Sequence, residues 1–373
     1  RRQDGNGAHC KGPSLILAVM LLVCWAFAAA GVGERVDVET VAKNSGTKFH
    51  WFPVQKTFIL VNAKDTVRFA IDMPFATYKG KSISLSQAPT LQDGTILVSA
   101  ADVDKIFGKT VSKSKDSEKS VSPVAAPKNE TAGTREVKTI VIDPGHGGKD
   151  PGAQGKKAQE KDIVLAVAKL LKKELEDEGF NVKLTRDKDV FIELGERANL
   201  ANKWDGDLFV SLHCNAIDAT PERKKIIQGY HFYVLRAPES EEDKAIARRE
   251  NKVATLYGEK NAKEELTPLE WFKLEARLEK YKQNSYMFTE ELLKSFKNGK
   301  IQKQANGVGG AGFMVLVGAM MPAVLVELGF ISNPDDEAYM MTSKGQQDMA
   351  ERVAKAVASY KQAVLNYRET LGR

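Results

Sequence analysis

The sequence predicts an α/β fold, a mostly parallel sheet with helices on both faces, preceded by a small β-rich α+β domain. Three observations predict it. Short apolar runs stop abruptly at turn or charged residues, as at 139–142 before Asp143-Pro144-Gly145, 208–212 before His213 and 323–326 before Glu327. Such continuous apolar runs suit strands covered on both faces. Between them lie stretches with apolar residues at helical spacing, and this alternation argues a parallel sheet. Ahead of residue 137 the apolar residues instead alternate with period two. At 373 residues and 42% apolar, the chain is long enough for about two domains with cores of their own.

In chain order, Arg1, Arg2 and Lys11 precede an apolar run over 15–30 that ends Ala28-Ala29-Ala30. The run is short for a membrane span and reads as a secretory signal peptide, residues 1–30. Export to a periplasm or to the cell wall and extracellular space follows, with no integral membrane domain after cleavage. An uncleaved anchor is the alternative; a lipoprotein at Cys24 is disfavoured by the bulk of Val23. The first residue is not methionine, so the true start stays open. Cys10 and Cys24 fall in the leader, leaving Cys214 without an intrachain partner. Residues 36–108 read as a β-rich module, with a helix over 38–45, strands near 49–51, 57–62, 66–71 and 96–98, and turns at 62–65 and 92–94. Residues 109–136, rich in Ser, Lys, Pro and Ala, cannot bury enough apolar surface to fold and read as a flexible linker.

The domain over 137–373 begins with the strand that Asp143-Pro144-Gly145 stops, so His146 sits just past a strand's carboxyl end in a glycine-rich turn. That edge is where open α/β sheets bind ligands. Glu160 opens a helix whose Ile163, Val167, Leu170, Leu171 and Leu175 share a face. Gly179 ends it, a strand follows over 181–185, a helix over about 194–203, and then the strand that His213 closes. Two histidines and a glutamate at the ends of adjacent elements form a catalytic zinc ligand set, His146, Glu160 and His213, with the fourth position left for water. Glu327 ends another apolar strand, where a carboxylate is costly unless paired, metal-bound or working. Two rivals remain. A cysteine hydrolase would pair Cys214 with a histidine, but neighbours on a strand point to opposite faces, so His213 and Cys214 cannot form a dyad. A metal-free glycosidase would use Glu160 and Glu327 as its acid pair.

The stretches I-V-I-D-P-G-H-G-G-K-D-P-G-A, Glu160 with its helix, L-T-R-D-K-D-V-F-I-E-L-G-E-R-A-N-L-A-N, V-S-L-H-C-N-A and P-A-V-L-V-E-L-G-F-I-S-N occur in this order between 138 and 360. In them the chain resembles the zinc-dependent N-acetylmuramoyl-L-alanine amidases, the Amidase_3 family of peptidoglycan hydrolases. The resemblance implies cleavage of the amide between N-acetylmuramic acid and the L-alanine of the stem peptide. Zinc would sit on His146, Glu160 and His213, and Glu327 would be the general base. The module over 36–108 resembles the copper-amine-oxidase-N-terminal-like modules, though His50 is its only histidine and one imidazole makes no copper site. A net charge of +6 with scattered lysines suits an anionic wall polymer better than nucleic acid.

Further residues follow from position. Asn215 is a candidate contact to the attacking water or a substrate carbonyl, and Arg197 to a stem-peptide carboxylate; for Arg186 and Arg197 alike, a surface ion pair with Asp187 or Glu193 is the favoured reading. His231 reads as packed or exposed, not as a ligand. After the helix over 239–253, residues 254–284 exceed what a minimal amidase needs. In amidases that act in division, such an insertion blocks the zinc until an activator protein removes it, so Glu264, Glu265 and Glu270 are candidate plugging carboxylates. Residues 307–312 are glycine-rich without the context of a phosphate loop, and 313–316 read as the strand before the one ending at Glu327. The competing functions are another zinc-dependent wall peptidase or deacylase and an inactive wall-binding regulator.

Overall fold

The computed structural model describes residues 35–79, 81–107, 135–238, 240–259 and 262–370. The expected signal peptide and almost all of the expected linker lie outside the described residues. By internal contacts the chain falls into two compact units; the first is drawn from the β-rich region except residues 50–58, which group with the second.

The β-rich region runs β1 (Arg35–Asp37), α1 (Val38–Ser45), β2 (Lys48–Phe52), β3 (Thr57–Val61), β4 (Thr66–Ala70), β5 (Phe75–Tyr78), β6 (Lys81–Ser84), β7 (Thr90–Gln92), β8 (Thr95–Ser99) and α2 (Ala100–Phe107). β1 and β7 flank β8 antiparallel, and β4, β5 and β6 form a meander. Helix α1 forms where Asp37 accepts from the N–H groups of Glu39 and Thr40, and it ends where Gly46 takes φ +68°.

The C-terminal unit is a six-stranded sheet in the order β10-β9-β11-β14-β12-β13. Its strands are β9 (Thr139–Pro144), β10 (Asn181–Leu184), β11 (Leu208–Asn215), β12 (Tyr230–Leu235), β13 (Lys303–Ala311) and β14 (Ala323–Phe330). Every pairing is parallel except β12 with β14. The helices are α3 (Glu160–Asp177), α4 (Leu194–Lys203), α5 (Pro221–Ile226), α6 (Glu241–Leu256), α7 (Pro268–Phe296), α8 (Met314–Val317), α9 (Pro334–Met340) and α10 (Ser343–Thr370). Strand alternation divides the core between two faces. Val141, Phe209, Tyr233 and Leu325 pack with Ala201 of α4, Ile246 and Ala247 of α6, Leu274 and Leu278 of α7 and Leu316 of α8. Their strand neighbours Ile140, Val210, Phe232 and Val324 are equally buried and point to the opposite face. Among the described residues no helix is long and apolar enough to cross a membrane.

One expectation is corrected. The glycine-rich stretch is itself strand β13, and the residues after it form the one-turn helix α8. Glycine suits β13 because neighbours press on it: a Cβ on Gly309 would stand 2.7 Å from Asp243 Oδ1 and from Tyr233 Cε1. A four-residue apolar run such as 314–317 fits either a strand or a buried helical turn, and here the turn forms. The second helix-forming part of 254–284 is the start of the 29-residue α7, whose Leu274 and Leu278 belong to the core.

Candidate metal centre

The site forms at the carboxyl edge of the parallel strands. β9 ends in a tight turn in which His146 takes φ +59°, a left-handed conformation uncommon outside glycine. Asp150, at the end of that turn, accepts from His146 Nδ1 at 2.7 Å and fixes the ring so that Nε2 faces the cleft. α3 begins at Glu160, whose carboxylate is pinned by the N–H of Ala153 at 2.7 Å and of Cys214 at 2.8 Å. β11 supplies His213, with Nδ1 toward the same point. Gly145 is required beside it, since a Cβ there would lie 2.6 Å from His213 Nε2.

A fourth group joins them. Glu250, in the middle of α6, brings Oε2 to 3.3 Å from His146 Nε2 and 3.1 Å from His213 Nδ1. Glu160 Oε1 lies 3.2 Å and 3.0 Å from the same two nitrogens. His146, Glu160, His213 and Glu250 are all buried and offer ligand atoms within 4.8 Å of one another. The donor set fits a metal. Tetrahedral ligands at about 2.0–2.1 Å from zinc are separated by edges of about 3.3–3.4 Å, close to the four distances found. His146 Nε2, His213 Nδ1 and Glu250 Oε2 are buried with no hydrogen-bond partner among the described residues, a cost that a cation at their centre would remove.

Electrostatics are those of a cation site. Burial disfavours the charged ring of His213, but Glu250 and Glu160 outweigh it and lift the pKa to about 9. His146 is raised for the same reasons, with Glu160 its strongest attraction. Burial pushes Glu160 up, yet His146 brings it down to about 2. Glu250 falls well below the usual range despite burial, because Arg249 and His213 stand beside it. Arg249 holds the other oxygen of Glu250 at 2.7 Å and reaches Asn215 Oδ1 at 3.1 Å, with Glu327 at 3.6 Å. Glu327 lies opposite His213 in the parallel register of β14 with β11, so both project on one face. Neither of its oxygens has a hydrogen-bond partner among the described residues, and burial raises its pKa to about 8.

Sequence reasoning located these strand-end residues but not Glu250. The expected candidates Glu264, Glu265 and Glu270 lie elsewhere: Glu265 pairs with Arg248, Glu264 meets Thr255, and Glu270 caps α7 through Thr267. A legible signal was the buried stripe Ile246, Ala247, Glu250, Asn251 and Ala254, which places a carboxylate on the apolar face of α6. Glu250 Oε2 stands as a fourth donor beside the three expected ligands, at the side of the cluster where an open position was expected. The cavity between His146, His213, Glu250 and Arg197 measures about 10 Å³, barely room for one water. A roomier cavity of about 340 Å³, lined by Asn202, Asp207, Tyr281 and Tyr360, lies at the amino ends of the strands, away from this chemistry.

The arginines are structural supports rather than surface ion pairs. Arg197 is 1% exposed; it pairs with Asp143 at 2.9 Å and donates to the carbonyls of Pro144 and His146. Arg186 donates to the carbonyls of Pro144, Gly145 and Lys161. Arg197 therefore holds the His146 turn and borders the small cavity beside it. Asn215 is buried at the site with Nδ2 unpartnered among the described residues. Cys214 points to the opposite face, 3.8 Å from Met340 Sδ, and burial raises its thiol pKa, so no thiolate stands near either histidine. His231 stacks on Tyr233 with centroids 4.5 Å apart and is outside the ligand group.

The family model for N-acetylmuramoyl-L-alanine amidase, Amidase_3, matches residues 140–359. The chain belongs to this family. Residues 35–121 match the copper amine oxidase N-terminal domain. Among similar proteins, N-acetylmuramoyl-L-alanine amidase AmiC of Escherichia coli O6:H1 is 35% identical over 249 residues, 66% of this chain and 58% of that protein. AmiA of Escherichia coli K12 is 34% identical over 239 residues, 63% of this chain and 79% of that protein. The solved structure of amidase AmiC2 of Nostoc punctiforme is 28% identical, covers 62% of this chain and 99% of its own, and gives a TM-score of 0.43. The chain thus spans little more than half the length of the AmiC relative.

Proposed function

We propose that this amidase-family protein is an exported peptidoglycan hydrolase that cleaves the amide between N-acetylmuramic acid and the L-alanine of the stem peptide. We also propose that the arrangement described is its resting, closed state. The observation that carries both readings is the convergence of four buried ligand atoms where an active centre needs three. His146, Glu160 and His213 would hold zinc, and Glu250 would occupy the place of the attacking water. When bound, zinc lowers the pKa of a water to about 7 and polarises the amide carbonyl.

The chain's own groups do the rest. Asp150 keeps the His146 proton on Nδ1, and the two N–H groups on Glu160 keep its carboxylate ionised and aimed. Glu327, adjacent to His213, accepts the proton of the attacking water and returns it to the departing amine, which is a poor leaving group until protonated. Arg249 ties Glu250 to Glu327 and Asn215, so withdrawal of α6 frees the base and the fourth position together. Such a helix calls for an activator protein that lifts it, and a closed hydrolase of this kind suits wall turnover or daughter-cell separation.

The test is dye release from labelled sacculi by wild type, Glu250→Ala and Glu250→Ala/Glu327→Gln, with zinc and with chelator. Zinc-dependent release of glycan-free stem peptides by Glu250→Ala, lost in the double variant, is the expected result. Cleavage within the peptide would instead mark a zinc peptidase, and silence of a metal-loaded Glu250→Ala protein would mark an inactive wall-binding regulator.

A further inference from the structure

We infer that Lys149 and Phe191 form a substrate subsite for a carboxylate carried beside an apolar face of the glycopeptide, and that Tyr257 covers it in the closed state. The inference rests on the reading of the closed site given above. Lys149 lies in the reverse turn closed by the two hydrogen bonds between Gly147 and Asp150, 2.9 and 3.1 Å. Asp150 in that turn orients His146, so Lys149 stands on the rim of the metal site. Phe191 is held beside it. Asp189 accepts from the N–H of Gly148 at 2.6 Å and from Lys161 Nζ at 2.8 Å, binding the Phe191 loop to the His146 turn.

Tyr257 follows α6 directly, two turns beyond Glu250. Its hydroxyl donates to the Lys149 carbonyl at 2.9 Å, and its ring meets Phe191 edge-on with centroids 5.2 Å apart. Lys149 Nζ stands 4.5 Å from the centre of Phe191 and 4.7 Å from that of Tyr257. An ammonium against two ring faces and with no ion-paired carboxylate among the described residues offers a place for an anion. Glu259, which Lys149 stabilises through space, accepts from the N–H of Leu194 and makes no ion pair with Lys149 among the described residues. Withdrawal of α6 to free the metal site would carry Tyr257 away with Glu250. It would uncover an aromatic face and a lysine ammonium at the rim, where a stem-peptide carboxylate close to the scissile amide would arrive.

The test uses two muramyl peptides that differ only in whether the α-carboxyl of the second residue is free or amidated. Calorimetry on the full chain carrying Glu250→Ala, freed of metal by chelator so that it does not turn over, with and without Lys149→Met, reads binding alone. The expected result is preference for the free acid by the Glu250→Ala protein, and about a tenfold loss of that preference on adding Lys149→Met. Tyr257→Ala, with Glu250 intact, should bind the free acid where wild type does not. Equal binding of the two peptides by Glu250→Ala, or a preference untouched by Lys149→Met, would overturn the subsite. A Glu250→Ala protein that prefers the free acid yet never cleaves sacculi would leave the subsite standing and sink the closed-enzyme reading instead.

Discussion

Glu250→Ala is the sharpest perturbation this site offers. The side chain places one oxygen 3.3 Å from His146 and 3.1 Å from His213, and Arg249 holds the other at 2.7 Å. Breaking a buried ionic contact costs about 3–5 kcal/mol, so losing the carboxylate that faces His146 and His213 weakens closure by roughly 3 kcal/mol or more. At about 1.4 kcal/mol per factor of ten, the open population would rise about a hundredfold if nothing else held α6. Other anchors persist. Asn251 bonds the Gly312 carbonyl and the Met314 N–H, and Glu259 bonds Leu194, so a rise of at least about tenfold in sacculus hydrolysis is the expected outcome. Dye release per mole of bound zinc is the assay, with metal content measured on the same samples. A variant that keeps its zinc but hydrolyses no faster than wild type would refute the reasoning, and loss of zinc would show Glu250 to be a permanent ligand.

The other predictions are narrower. Glu327→Gln in the opened protein should lower kcat about 10²–10⁴-fold, as expected for loss of an acid–base group, with zinc content unchanged. Asp150→Ala should weaken zinc affinity about 10–100-fold in competition with a chromophoric chelator, because His146 loses its orienting partner. Arg197→Ala leaves Asp143 buried and unpaired and should cost about 3–5 kcal/mol in urea unfolding. Burial raises Glu290 from 4.5 to about 7, so it holds its proton more tightly folded than unfolded; stability is full below about pH 4.5 and falls as pH rises toward 7. Glu290→Gln should flatten that fall, worth at most about 3 kcal/mol, in melts taken between pH 4.5 and 8.

What the sequence disclosed follows from where chemistry interrupts apolar pattern. His146, His213 and Glu327 each break or end an apolar strand run, and Glu160 opens a helix, so one reading of periodicity marks all four. Glu250 gave no such break. It sits among Arg248, Arg249, Glu250 and Asn251 in a helix whose charge suggests solvent, and only the spacing of Ile246, Ala247 and Ala254 exposes its buried side. Arg197 was misjudged for a related reason: an arginine next to acidic residues reads as a surface pair, whereas its partners are backbone carbonyls of a turn distant in sequence. The run 314–317 was too short for its period to separate a strand from a helical turn.

The pairing of His213 with Glu327 across β11 and β14 has a consequence for how such an enzyme diversifies. Neighbouring strands stand about 4.8 Å apart because their backbones are hydrogen-bonded, whatever side chains they carry. The offset between His213, the proposed metal ligand, and Glu327, the proposed proton-handling carboxylate, is thus inherited from the sheet and owes nothing to the loops. Loops at the rim can lengthen, shorten or recruit a covering helix to suit different wall polymers, while the spacing the chemistry depends on stays constant.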